Sequence, residues 1–373
     1  MRIASILSIA LAGGLLIACN GPAADDTSTE QAAGPASDST ASADPLIYEG
    51  EDHFASVRQL TFGGENAEAY WSNDDRHIVF QRTAPEEGLN CDQIFLGATP
   101  ATGEDFAFDM VSTGGGRTTC SYFLPGDSTI IYASTHLDHD SCPPVPDQSM
   151  GYVWPLYPEF ELFITDTDGT ILEQLTDNDH YDAEATAHPT ENKIVYTSDK
   201  SGDLELYILD LDTREEVQVT NTPGYDGGAF FSPDGSMLLW RASRPAEGEE
   251  LDHYQDLLSN HMVEPSDMEL FVANADGSDA RQITDLGGAN WAPFFHPSNE
   301  KIVFSSNHHT ERGFPFNLFM IDLDGSNLQQ ITFDPMFDAF PMFSRDGTHL
   351  LFSSNRNNGG TRNTNVFLVE WQD

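Results

Sequence analysis

The sequence predicts an all-β fold, a six-bladed β-propeller with four-stranded blades, and three observations predict it. A hairpin signature occurs six times; each copy is followed by further strand-like segments; and the strand missing from the last copy stands at the other end of the repeats. The hairpins begin at Trp71, Phe123, Ala187, Phe231, Phe295 and Phe343. Each runs from a short strand through a turn of Pro, Asp, Gly or Asn into β-branched, aliphatic and aromatic residues, as in Phe231-Ser-Pro-Asp-Gly-Ser-Met-Leu-Leu-Trp240.

Third strands open on a polar residue and continue apolar, at Gln93, Glu161, Glu205, Glu269, Asn317 and Asn365. Fourth strands end near Val111-Ser112, Leu175-Thr176, Val219-Thr220, Ile283-Thr284 and Ile331-Thr332. The sixth copy has no room for one before Asp373, and Val57-Arg58-Gln59-Leu60-Thr61 supplies it. A strand from the N-terminal end then pairs with Asn365–Trp371 and closes the ring, leaving only short, protected edges.

The Phe-Ser-Pro-Asp-Gly turn and the Gln-(Leu/Ile)-Thr that ends the blades resemble the repeats of TolB-type propellers. The resemblance covers residues 51–373. It implies the propeller fold but not one activity, because this repeat occurs in binding proteins, peptidase-associated propellers and lyases alike. Two features depart from TolB, which carries an N-terminal α/β domain and is a soluble periplasmic protein. Here a tether precedes the repeats, and the chain opens on a lipoprotein-like leader.

That leader is Met1-Arg2 followed by an apolar run from Ile3 to Ile17, the length of a signal peptide and too short to span a bilayer comfortably. Leu16-Ile17-Ala18-Cys19 resembles a bacterial lipobox, so residues 1–18 are expected to be removed and Cys19 lipidated. Asn20 favours outer-membrane sorting by the same resemblance. Residues 19–50 hold few large apolar side chains and read as a disordered tether. The body is therefore expected in the cell envelope, touching the membrane through its lipid anchor only.

The formal net charge is −45, with 61 acidic against 16 basic residues. Nucleic acid and anionic membrane surfaces both need a basic footprint, so both are excluded as partners of the body. Neither a Gly-x-Ser-x-Gly elbow nor a P-loop or dinucleotide fingerprint occurs.

In a four-stranded meander the connections alternate between two faces. Strand 1–2 and 3–4 turns are short, and Asp-x-Asp-Gly motifs such as Asp166–Gly169 and Asp322–Gly325 read as turns, since no Glu closes a calcium loop. The long insertions Gln81–Asn90, Thr135–Glu159, Arg241–Asp267, Asn307–Phe316 and Asn355–Arg362 all fall on the other face, as a binding surface on a rigid scaffold would.

Five residues before each hairpin stand Asn66, Thr118, Asp182, Asp226, Asn290 and Asp338. These positions are expected around the channel mouth on the long-loop face. There they either cap turns and pin the neighbouring blade, or hold a ligand such as calcium or a basic segment of a partner. His136, His139, His308 and His309 sit in two of the long loops and are candidate ligands of a transition metal. In the first of these loops the aromatic run Tyr152–Tyr157 is either packing or a contact platform. Cys91, Cys120 and Cys142 remain after lipidation, implying one disulfide and one thiol left over, with the pair undetermined. The function expected is a non-catalytic envelope lipoprotein binding a protein, peptide or glycan; the alternative is a metal-dependent lyase or hydrolase using the loop histidines.

Overall fold

A computed structural model of the chain describes residues 44–145, 152–311 and 313–373. The leader, Cys19 and the tether up to residue 43 lie outside the described residues. Six antiparallel four-stranded sheets follow one another along the chain. Their first strands are Glu65–Trp71, Thr118–Phe123, Asp182–Ala187, Asp226–Phe231, Asn290–Phe295 and Asp338–Phe343, opening blades 1 to 6. Each first strand packs against the first strands of the blades before and after it, and blade 6 packs against blade 1, so the ring is closed around a central channel.

Closure uses the chain ends as the pattern requires. Phe54–Gln59 pairs with Asn365–Trp371 from Phe54↔Trp371 to Gln59↔Phe367, making the outermost strand of blade 6. Residues 44–50, counted above with the tether, form turns on the propeller. Leu46 and Ile47 pack against the blade 5–6 core, and Arg356, 2% exposed, binds the Leu46 carbonyl, Glu51 and Asp338 beneath the Tyr48 ring. The core is divided among the seams between blades, since each sheet buries both faces. Leu60, Trp71, Ile78, Phe80, Met342, Leu351 and Val366 fill the seam joining blades 6 and 1. Alternation along each strand therefore sends side chains into two different seams.

Every first strand is broken at the same place. Between the residues four and one before each hairpin start the register with the second strand shifts, as between Ala67 and Tyr70 or Gly227 and Phe230. This bulge places the residue three before each hairpin start in the left-handed region: Glu68 (φ 50), Cys120 (φ 53), Glu184 (φ 58), Gly228 (φ 58), Ala292 (φ 46) and Phe340 (φ 55). A bulge bends the strand and re-aims a side chain, and here six of them act at one level of the channel.

On the long-loop face the insertions of blades 2 and 4 reach across blade 3, whose own connection is short. Trp154–Pro155 pairs antiparallel with Met262–Val263, and the helix Glu249–Ser259 lies within the second insertion, just before Met262. Glu249, Glu250 and Asp252 favour the first helical turn through the helix dipole. Val153, Leu257 and Met262 form a small core of their own, and the Tyr254 hydroxyl donates to Asp203 of blade 3. The result is a strap roofing one side of the channel.

Candidate functional site

The six polar residues expected around the channel mouth begin the first strands, and all are fully buried: Asn66, Thr118, Asp182, Asp226, Asn290 and Asp338. Their side chains bond within their own blades or to a neighbouring blade, and none of the six lines the cavity described below. Asn66 donates to the Thr364 carbonyl of blade 6 (3.0 Å), and Asn290 donates to the Met268 carbonyl of blade 4 (3.0 Å). Thr118 bonds Ser134, and Asp182 accepts from Asn178 (2.7 Å). Asp226 accepts from Trp240 and Arg244 (both 2.7 Å), and Asp338 pairs with Arg356. The reason is the first-strand bulge, which directs the residue two places further along each strand, rather than these six, at the channel.

The bulge residues line a cavity of about 870 Å³ on the long-loop face. It is closed below by the next ring position. Tyr70, Tyr122, Phe230 and Phe294 pack with centroids 5.3 to 5.9 Å apart. On the short-turn face Arg345 of blade 6 bonds Asn73 of blade 1 and the Pro233 carbonyl of blade 4, bridging the far mouth. The cavity is therefore blind and opens among the long loops.

Its two sides differ. Trp291 is the hub of an aromatic wall, with Phe340 at 4.8 Å, Phe316 at 5.7 Å, Trp154 of the strap at 6.0 Å and Phe337 at 6.5 Å. Blades 1 to 3 contribute a polar wall of Glu65, Glu68, Gln81, Asp92, Arg117, Thr119, Cys120 and Glu184. Within it Arg117 pairs with Asp92 and Arg241 with Glu184. Glu184 also accepts from Thr197, the Tyr225 hydroxyl and the Gly228 amide, and Arg241, 4% exposed, lies beneath the Tyr225 and Trp154 rings. Burial alone would raise the Glu184 carboxyl, but the charge and hydrogen bonds of Arg241 outweigh it and hold the group below its ordinary range. Glu68 has no such partner among the described residues. Desolvation, together with repulsion from Glu184 and Asp92, pushes its carboxyl up to about 7 against a weaker opposing bond from Cys120. Burial beside both carboxylates drives the Cys120 thiol well above its ordinary value, so the thiol stays protonated and weakly nucleophilic.

Sequence reasoning missed this ring although its spacing is constant. Each member stands three residues before a hairpin start, but Glu, Cys, Glu, Gly, Ala and Phe share no chemistry, and only Gly228 advertises a positive φ. The cysteines resolve as a Cys91–Cys142 disulfide tying blade 1 to the long loop of blade 2, with Cys120 the free thiol in the channel.

The histidines stand apart. His136 and His139 belong to blade 2, and His308 and His309 to blade 5, across the ring. His136 and His308 occupy one repeat position, stacking on Phe163 (4.5 Å) and Phe319 (4.6 Å) of their own third strands. Lys200 over Tyr207, Arg244 over Phe271 and Arg356 beside Phe367 fill the same position in blades 3, 4 and 6. His136 Nδ1 bonds Ser134, His308 Nδ1 bonds Ser306, and His309 bonds Asn317; His139 lies 3.9 Å from Glu159. Among the described residues no three His, Cys, Asp or Glu side chains converge as metal ligands.

No family model matches the sequence, and no curated protein matches it either. Solved structures share its fold. A TolB-assigned structure from Agrobacterium tumefaciens is 17% identical with a TM-score of 0.51, covering 83% of this chain and 91% of that one. TolB from Acinetobacter baumannii is 15% identical with a TM-score of 0.52, over 80% of this chain and 64% of that one. An oligogalacturonate lyase solved in complex with manganese is 12% identical with a TM-score of 0.50, over 86% and 95%. At these identities the likeness establishes the fold, a six-bladed propeller of the TolB type.

Proposed function

We propose that this TolB-type propeller is a non-catalytic binding protein of the cell envelope, tethered through a lipid on Cys19, which seats a segment of a partner protein in its channel. The observation that carries the reading is the blind cavity, aromatic on one side and polar on the other, which opens where all the long loops gather. Phe62, Leu137, Val145, Tyr152, Phe314 and Met336, each 58% to 70% exposed, stand on that same face. Such side chains suit a macromolecular surface that covers them. Of the described polar groups, Cys120 is held as a thiol and Glu184 is committed to Arg241, so neither is an activated nucleophile.

Capture from the native envelope tests this. The wild-type protein should retain a protein partner, and Trp291→Ala with Phe316→Ala should release it. Retention by the double variant, or recovery of a glycan in place of protein, would defeat the proposal. A transition metal at one per chain in purified protein would replace it with a metal-dependent lyase or hydrolase. For the anchor, Cys19→Ala should move the mature body from the membrane fraction to the soluble fraction; a variant still in the membrane fraction would refute lipid attachment there.

A further inference from the structure

We propose that the cavity selects a cationic nitrogen, an ammonium group on the inserted segment, and seats it against Glu68 among Tyr70, Phe230, Phe340 and Trp291. This rests on the cavity being the binding site, and it names what the site recognises.

Charge complementarity is the first argument. Both arginines of the polar wall are used internally, Arg117 by Asp92 and Arg241 by Glu184. Glu68 is left without an ion-pair partner among the described residues. It projects from its bulge into the cavity at the same level as Glu184, so once ionised it gives the cavity base a negative charge that neither of these arginines offsets. Space is the second argument. Across the ring from Glu68 the bulge positions of blades 4 and 5 are Gly228 and Ala292. The small Ala292 side chain leaves room for a head group where Cys120 and Phe340 narrow other positions, whereas at Gly228 the Arg241 guanidinium takes the space a side chain would fill.

The third argument concerns which cation fits. Calcium takes six to eight oxygens, and the ring offers one unpaired carboxylate, set in the polar wall and facing the aromatic one. Ring faces attract an ammonium through their quadrupole, most strongly where water is excluded. One carboxylate and several aromatic faces therefore suit an organic ammonium better than a metal ion.

The test compares phenethylammonium with 2-phenylethanol, which has the same skeleton without the charge, by calorimetry and by the fluorescence of Trp154 and Trp291. At pH 8 the wild-type protein should bind the amine at least tenfold more tightly. Glu68→Gln should remove that preference and leave alcohol binding unchanged. A second measurement needs no variant: the preference should fall between pH 8 and pH 5.5 as Glu68 takes up a proton. Of the groups facing Glu68, Arg241 keeps Glu184 ionised over this range, Asp92 is paired with Arg117, and Cys120 and Tyr70 remain neutral. Equal affinities in the wild type, or a preference surviving both Glu68→Gln and low pH, would overturn the inference. If both probes bind equally and Trp291→Ala weakens both, the cavity stands as the binding site and only its cation preference falls. If neither probe binds and partner capture ignores Trp291, both readings fall.

Discussion

Glu205 begins the third strand of blade 3, is 2% exposed, and has one carboxylate oxygen, Oε2, without a hydrogen-bond partner. Desolvation first, and the charges of Asp226 and Asp203 after it, raise its carboxyl to about 7. A carboxyl raised in the folded state contributes stability below its unfolded value near 4, and that contribution is lost as pH rises through 7. Glu205→Gln should therefore raise stability at pH 8 by on the order of 2 kcal/mol and give almost no gain at pH 4. Urea titrations at the two pH values check this, and equal gains would show that burial does not strain the charge. Gly228 carries the opposite expectation. A Cβ there would stand 1.9 Å from Arg241 Nη1 at φ +58, so Gly228→Ala must displace the guanidinium from Glu184. Breaking a buried pair costs about 3–5 kcal/mol, and a change below about 1 kcal/mol in urea unfolding would mean that the pair survives the displacement.

At the scale of elements, the outer strand of blade 6 decides whether the ring closes. Deleting residues 20–43 removes none of the contacts described above, whereas deletion through Thr61 strips Phe54–Gln59 from Asn365–Trp371 and removes Glu51 from Arg356. The first truncation should melt with the full mature chain; the second should melt well below it and aggregate through the bare edge of Asn365–Trp371. Coincident melting curves would show that closure contributes nothing. The hairpins, the third strands and this closing strand were legible because alternating apolar residues and turn chemistry are local signals. The helix Glu249–Ser259 and the pairing of Trp154–Pro155 with Met262–Val263 were not. They lie inside loops, and the strap's two strands are short segments from different blades that only the ring brings together.

For the whole molecule the formal charge of −45 is the dominant global term. Like charges spread over one surface destabilise the compact state, and salt relieves that by shortening the screening length from about 10 Å at 0.1 M to about 3 Å at 1 M. The melting temperature should rise by several degrees between 50 mM and 1 M sodium chloride, with most of the gain at the low end. A flat or falling curve would mean that the acidic residues are already offset by local pairing.

The sequence by itself determined the number of blades, the order of strands, the closure by a strand from the N-terminal end and the face that carries the long loops. All of these follow from residue periodicity and the alternation of a meander. It also limited the disulfide to three cysteines. Only the tertiary structure decided which residues face the channel. The expected ring of Asn66, Asp182, Asp226, Asn290 and Asp338 is buried, and the ring two residues later reaches the cavity. A bulge changes side-chain direction by one residue, and a strand's alternation does not disclose it when the bulged positions hold Glu, Cys, Ala and Phe. The meeting of Glu184 with Arg241, and the isolation of Glu68, depend on which blades become neighbours and on how far each side chain reaches into shared space.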